Sequence, residues 1–154
     1  MQLNGASAQH IDTMESLLSS TTRLTRLAAQ RTGTTVSSAV WGALSVLVND
    51  GPHRVGDLAR AARISQPGMT KVVQNLVADE WVVRIADTGD SRATPVAVTD
   101  RGRAALLHWR RQLSDALSGS FTDLTESEWQ ILDRAAAILA THTTTASPTK
   151  EAVA

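Results

Sequence analysis

The sequence predicts a mainly α-helical fold that carries one small β-hairpin. Three observations lead there. Apolar residues recur at intervals of three and four along most of the 154 residues, the spacing of a buried helix face. That period gives way once, to short β-branched runs at 82–85 and 94–98 on either side of Asp87-Thr88-Gly89-Asp90, which reads as two strands and a turn. Strong start and stop signals divide the remainder into separate helices.

From Ile11 to Arg31 the residues Ile11, Met14, Leu17, Leu18, Leu24, Leu27 and Ala28 mark a first amphipathic helix, ended by Thr32, Gly33 and Thr34. Val36 to Val48 forms a second, with Val40, Ala43, Leu44, Leu47 and Val48 inward, stopped by Asn49-Asp50-Gly51-Pro52. A short third helix runs from about Asp57 to Ala62, and Arg63 and Ile64 turn the chain. Ser65 is placed to cap a fourth helix, whose Met69, Val72, Val73, Leu76 and Val77 form one stripe. Pro67 falls in its first turn, where a missing N–H does no harm, and Gly68 would let a backbone approach closely. Pro95 cannot donate to a ladder and suggests an edge or a bulge in the second strand. Thr99 can cap a fifth helix through Ala104, Leu107, Trp109 and Leu113, where Gly102 is expected to be a mild helix cost. Thr125-Glu-Ser-Glu128 is a capping box, with Leu124 and Trp129 as its hydrophobic staple, opening a sixth helix to about His142.

Composition narrows the function. Apolar residues are 42% of the chain and charged residues 19%, enough for a packed core. With no Cys, disulfides, thiolate nucleophiles and Cys-ligated zinc are excluded. Met1 to His10 is polar and does not read as a signal peptide, and apolar stretches fall short of a membrane span, so a cytoplasmic protein with no membrane contact is expected. The four His residues, at 10, 53, 108 and 142, lack ligand spacing. No phosphate loop, dinucleotide fingerprint or nucleophile elbow is present. No metal, no cofactor and no enzyme activity are expected.

Formal net charge is zero, yet the charges are segregated. Residues 54–111 hold ten basic and six acidic side chains, while residues 112–154 hold two basic and six acidic. A phosphate backbone would be met by the middle of the chain. There, two short helices joined by a tight turn form a helix-turn-helix. The face of the fourth helix not used by its stripe shows Gln66, Pro67, Thr70, Lys71, Gln74 and Asn75, none acidic. Gln and Asn can pair bidentately with adenine, Thr can meet a base edge or a thymine methyl, and Lys suits a guanine edge or a phosphate. The same face is also what any solvated helix would show; the hairpin adds the argument. Its tip carries Asp90-Ser91-Arg92, with Arg84 on the entering strand. An Arg at a hairpin tip can enter a narrow minor groove, and Asp90 can orient it. Arg54, Arg60 and Arg63 frame the third helix as candidate phosphate contacts.

These residues are similar to a known pattern. The run Val55-Gly-Asp-Leu-Ala-Arg-Ala-Ala-Arg-Ile-Ser-Gln-Pro-Gly-Met-Thr-Lys-Val-Val-Gln-Asn-Leu76, followed by Trp81-Val-Val-Arg84, Asp90-Ser-Arg92 and Val98-Thr-Asp-Arg-Gly102, resembles the MarR family of winged helix-turn-helix transcriptional regulators. The resemblance covers about residues 11–142, with its specific motifs in 55–102. It implies that Arg92 is the wing arginine, Asp90 its acidic partner, and Gln66, Thr70, Lys71 and Gln74 major-groove residues. Ser91 stands where the family commonly has a basic residue, which implies a weaker wing contact, and Val98 replaces the usual Leu.

The expected architecture is a winged helix-turn-helix with N- and C-terminal dimerisation helices. Residues 11–35 and 112–142 would be the dimerisation helices, 36–111 the DNA-binding lobe with its linking helices, and 143–154 a disordered Thr/Ala/Ser-rich tail. Leu17, Leu24, Leu132, Ala136 and Leu139 offer more apolar surface than a small lobe can cover. A homodimer on a pseudopalindromic double-stranded operator follows; a repressor is expected, with activation left open because that depends on where the site lies relative to a promoter. The resemblance also implies a small apolar or aromatic effector, for which Trp41 and Trp109 are the candidate wall residues, although each reads first as a core residue. The competing reading is a winged-helix protein-interaction module that does not touch DNA, which the zero net charge keeps open.

Overall fold

A computed structural model describes residues 7–33, 35–86 and 94–143. The elements are α1 (Ala8–Thr32), α2 (Ser38–Asp50), α3 (Val55–Ala61), α4 (Gln66–Ala78), β1 (Val82–Arg84), β2 (Val96–Val98), α5 (Asp100–Ser118) and α6 (Glu126–Thr143). Their order and type match the expectation of a mainly helical fold with one antiparallel hairpin. The turn at 87–90, Ser91, the start and end of the chain and nearly all of the expected tail lie outside the described residues.

The chain divides into two compact units, residues 1–34 with 110–122, and residues 35–109 with 123–154. In the first, α1 ends at Gly33, whose φ of 57° is a left-handed cap that glycine adopts without strain. Arg31 near that end donates to the Ala116 carbonyl at 3.1 Å and to Ser120 Oγ at 2.6 Å, tying α1 to the end of α5.

The second unit holds the hydrophobic core. Trp41, Ala43, Leu44 and Leu47 of α2, Leu58 and Ala59 of α3, Met69, Val73 and Leu76 of α4, Val82, Val96 and Leu106 are all buried together. Helix α2 runs two residues beyond the expected Val48, to Asp50, and Gly51 (φ 81°) then turns the chain. On α4 the expected stripe narrows to Met69, Val73 and Leu76; Val72 lies at its margin and Val77 is exposed. On α5 the buried positions are Gly102 and Leu106, whereas Leu107 is 66% exposed, one residue out of phase with the covered face.

Both α3 and α4 end in the same way. The Arg63 N–H bonds to the Arg60 carbonyl and the Ile64 N–H to the Ala59 carbonyl; the Glu80 N–H bonds to the Val77 carbonyl and the Trp81 N–H to the Leu76 carbonyl. These are paired Schellman closures, which need a left-handed residue at the first position past the cap. Here that residue is Arg63 (φ 54°) and Glu80 (φ 60°), neither a glycine. In the hairpin, Val82 faces Val98, Val83 faces Ala97 and Arg84 faces Val96. Val96 also exchanges both backbone bonds with His53, at 3.1 and 2.8 Å. Strand β2 is therefore flanked on both sides, and Pro95 sits just before it rather than marking an edge; its carbonyl accepts the Ile85 N–H at 2.8 Å. The capping box forms as expected: Glu128 Oε2 accepts the Thr125 N–H and hydroxyl, each at 2.8 Å, and Thr125 Oγ1 accepts the Glu128 N–H at 3.3 Å.

Candidate nucleic-acid interface

Helix α4 is built outward from its cap. Ser65 Oγ accepts the Gly68 N–H at 3.3 Å, which satisfies one of the first-turn donors that no helical carbonyl can reach. Pro67 follows in that same turn. Gly68 has an internal reason to be glycine, one the sequence reading placed at a ligand instead: a Cβ there would lie 3.0 Å from Ser65 Oγ and 3.3 Å from Ile64 Cγ2. Glycine keeps the cap and the turn in contact.

Once Met69, Val73 and Leu76 are buried, helix geometry sends Gln66, Pro67, Thr70, Lys71, Gln74 and Asn75 to the opposite side, and all six are exposed. They cover roughly half of the helix circumference without an acidic side chain. Two are modified by their neighbours. Thr70 Oγ1 donates to the Gln66 carbonyl at 3.0 Å, leaving its methyl group and lone pairs to meet a partner. The Gln66 amide lies over the first turn of α3, its Nε2 3.8 Å from where a Gly56 Cβ would be. It is steadied by the helix-turn-helix rather than projecting freely.

Around this helix, Arg54 is exposed at the N-cap of α3 and Arg84 is exposed on β1. Arg60 forms an exposed ion pair with Asp57 one turn earlier, so a phosphate contact there would have to compete with that carboxylate. Asp90 and Arg92 lie outside the described residues.

Thr99 caps α5 as expected, and the motif that follows the wing adds tertiary contacts the sequence reading missed. Thr99 Oγ1 donates to the Glu80 carbonyl at 2.7 Å and accepts the Gly102 N–H at 3.0 Å. The Thr99 N–H donates to the Trp81 carbonyl at 3.0 Å. Gly102 then packs directly on that carbonyl: a Cβ would lie 2.1 Å from the Trp81 oxygen. Arg101 adds a 2.7 Å ion pair to Glu80. Thr-x-x-Gly thus fastens the start of α5 to the loop that ends α4 and starts the wing.

Trp41 and Trp109 are brought together with a third indole. Trp41 stacks on Trp109 with ring centroids 4.7 Å apart and 9° between planes, and on Trp81 at 5.5 Å and 26°. Trp41 is 6% exposed and belongs to the core. The Nε1–H groups of Trp41 and Trp109 are buried with no hydrogen-bond partner. Among the described residues, no group of three or more His, Asp or Glu is placed to hold a metal, and no helix is long and apolar enough to cross a membrane.

A helix-turn-helix with an exposed, non-acidic second helix, followed directly by an antiparallel hairpin, defines a winged helix-turn-helix DNA-binding regulator. Comparison with known proteins places it further. The model of the MarR family matches residues 32–93. The chain is 32% identical over 104 residues to the HTH-type transcriptional regulator Mb0904 of Mycobacterium bovis, a match spanning 68% of this chain and 73% of that one. It is 28% identical over 85 residues to the HTH-type transcriptional regulator YpoP of Bacillus subtilis, covering 55% of this chain but only 60% of that protein's length. Among solved structures, the transcriptional regulator Tm0710 of Thermotoga maritima superposes with a TM-score of 0.65 at 18% identity, over 88% of this chain and 99% of that one. NadR in complex with 4-hydroxyphenylacetate superposes at 0.52 with 21% identity, over 91% and 96%. The chain belongs to the MarR family, whose members are transcriptional regulators and not enzymes.

Proposed function

We propose that the protein is a homodimeric, sequence-specific regulator that places two copies of α4 in successive major grooves of a pseudopalindromic operator and acts as a cytoplasmic repressor. The observation that carries this reading is the exposed face of α4. Gln66, Thr70, Lys71, Gln74 and Asn75 offer bidentate amides, one cation and one methyl on a single surface, the set that reads base edges. Arg54 and Arg84 are assigned to the phosphate backbone, and Arg92, with Asp90 orienting it, to the minor groove.

The dimer rests on unpartnered apolar surface. On α1, Ile11, Met14 and Leu18 are each at least half exposed. Further along the same helix Thr21, Thr22 and Thr25 donate their hydroxyls to carbonyls of the preceding turn, so the groups they turn outward are largely methyls. No residue of α6 is buried, and Ile131, Leu132 and Ile138 are exposed. Exposed apolar surface of this kind on each of the two helices is typical of an interface, and two-fold closure is its simplest form. Residues 11–35 and 112–142 would supply the dimerisation helices.

Release by a small apolar or aromatic effector is the second part of the proposal. It is supported by the two buried indole N–H groups of Trp41 and Trp109, since a buried donor without an acceptor is costly. An aromatic acid or phenol approaching the edges of the stack would supply the acceptor. The reported complex of the similarly folded NadR with 4-hydroxyphenylacetate makes that compound the first to try.

A gel shift on the protein's own upstream DNA, run over a range of salt, tests the reading. Specific binding that weakens with salt is expected. Arg84→Ala should lower affinity for all sequences and reduce the salt slope by about one, and Gln74→Ala should relax preference at a few base pairs. Salt-independent or absent binding, with both variants indistinguishable from the parent, would favour the protein-interaction reading.

A further inference from the structure

The end of α4 carries two adjacent acids with different fates. Glu80 is bound by Arg101 at 2.7 Å, while Asp79 forms no ion pair among the described residues. Asp79 instead lines a cleft of about 320 Å³ between the start of α2 and the end of α4. The apolar part of its wall is Val36, Val40, Leu76 and Trp81, while Thr35 and Ser37 add hydroxyls and Asn75 an amide. The volume is at the lower end of small-molecule sites, and the wall divides about evenly between apolar and polar side chains. The lining has one formal charge, which is negative. An anion would meet Asp79 unfavourably, and a neutral apolar molecule would strip water from the exposed carboxylate and the Asn75 amide without replacing it. A cation with a short apolar body suits both the charged and the apolar parts of the wall: its ammonium pairs with Asp79, and its body covers the valines and the Trp81 indole, whose ring also attracts a cation.

We propose that this cleft is a binding site for a small organic cation of the arylalkylamine type. It shares Trp81 with the indole stack but not the Trp41 and Trp109 N–H groups assigned above to an acceptor-bearing effector, and it selects the opposite charge. Neither the proposal nor its test depends on DNA binding.

The test is a titration of the full-length, ¹⁵N-labelled protein with phenethylammonium, followed by amide and indole NMR signals. 3-Phenylpropionate, which has a similar body and opposite charge, is titrated in parallel. Saturable shifts of the Ser37 and Val40 amides, the Asn75 side-chain amide and the Trp81 indole are expected with the amine and not with the acid. Asp79→Asn should weaken amine binding about fivefold or more. Asp79 is exposed at the C-cap of α4, where Asn is well tolerated, so the variant should fold, and its own spectrum reports whether it does. The proposal is overturned by shifts that do not saturate, by shifts confined to other residues, by equal binding of the acid, or by an unchanged affinity in Asp79→Asn.

Discussion

Replacing Gly102 by alanine should destabilise the protein, although helix propensity alone predicts the reverse. Gly102 lies within the first turn of α5, and alanine in a helix is favoured over glycine by about 1 kcal/mol. The added methyl, however, would sit 2.1 Å from the Trp81 carbonyl oxygen, 2.9 Å from its carbon and 3.0 Å from Val98 Cγ2. The first two are backbone atoms and cannot swing aside, so the start of α5 must lift by about 1 Å to reach van der Waals contact. That movement stretches the 3.0 Å Thr99 N–H bond to the same carbonyl, a bond worth about 1 kcal/mol. Overpacking of this kind costs about 1–3 kcal/mol. The net expectation is a loss of about 2 kcal/mol. Urea unfolding, followed by helical circular dichroism and Trp fluorescence, measures it as a lower midpoint at constant slope. Gly42, inside α2 with nothing within 4 Å of its would-be Cβ, is the control, and its alanine variant should gain about 0.5–1 kcal/mol. A neutral or stabilising Gly102→Ala, or equal effects at the two positions, would refute the close approach of α5 to Trp81.

Three other outcomes follow from the structure. Arg63→Gly should stabilise by about 0.5 kcal/mol, because relief of the left-handed strain exceeds the added chain entropy; a loss of more than about 1 kcal/mol by chemical denaturation would contradict the Schellman closure of α3. Glu128 is held below the ordinary glutamate pKa by the bond from the Thr125 N–H and then by the Thr125 hydroxyl. Its contribution is therefore complete above the unfolded-state pKa and disappears as pH falls through the lower folded-state value; the difference in melting temperature between wild type and Glu128→Gln should shrink with acid, and a difference independent of pH would contradict it. Trp109→Phe removes an orphaned buried donor while keeping a stacked ring, so it should cost less than about 1 kcal/mol in the same unfolding assay, against about 3–5 kcal/mol for Trp109→Ala.

What the sequence disclosed was governed by local rules. Ser65 and the Thr125–Glu128 box cap their helices as read, because a cap needs only residues within one turn. The exposed face of α4 was legible for the same reason: a stripe of Met69, Val73 and Leu76 leaves only one place for Gln66 to Asn75. Gly102 and Gly68 were seen but misjudged, since their constraint is a carbonyl or a hydroxyl brought near by tertiary or turn geometry. The left-handed Arg63 and Glu80 had no signal, because glycine is the residue that normally announces such a closure. The stacking of Trp41 with Trp81 and with Trp109 joins residues 40 and 68 positions apart in the numbering, and the His53–Val96 bridge is one residue long; neither leaves a periodic trace.

The account as a whole stands on α4 reading duplex DNA in two-fold related copies. Selection of bound duplexes from a random pool measures that directly. It should enrich an inverted repeat whose half-site centres lie about 10–10.5 base pairs apart, the spacing of successive major grooves on one side of B-DNA, and Gln74→Ala should lose information at matched positions in both halves. Recovery of no common sequence, or of a single unrepeated site unaffected by Gln74→Ala, would contradict it.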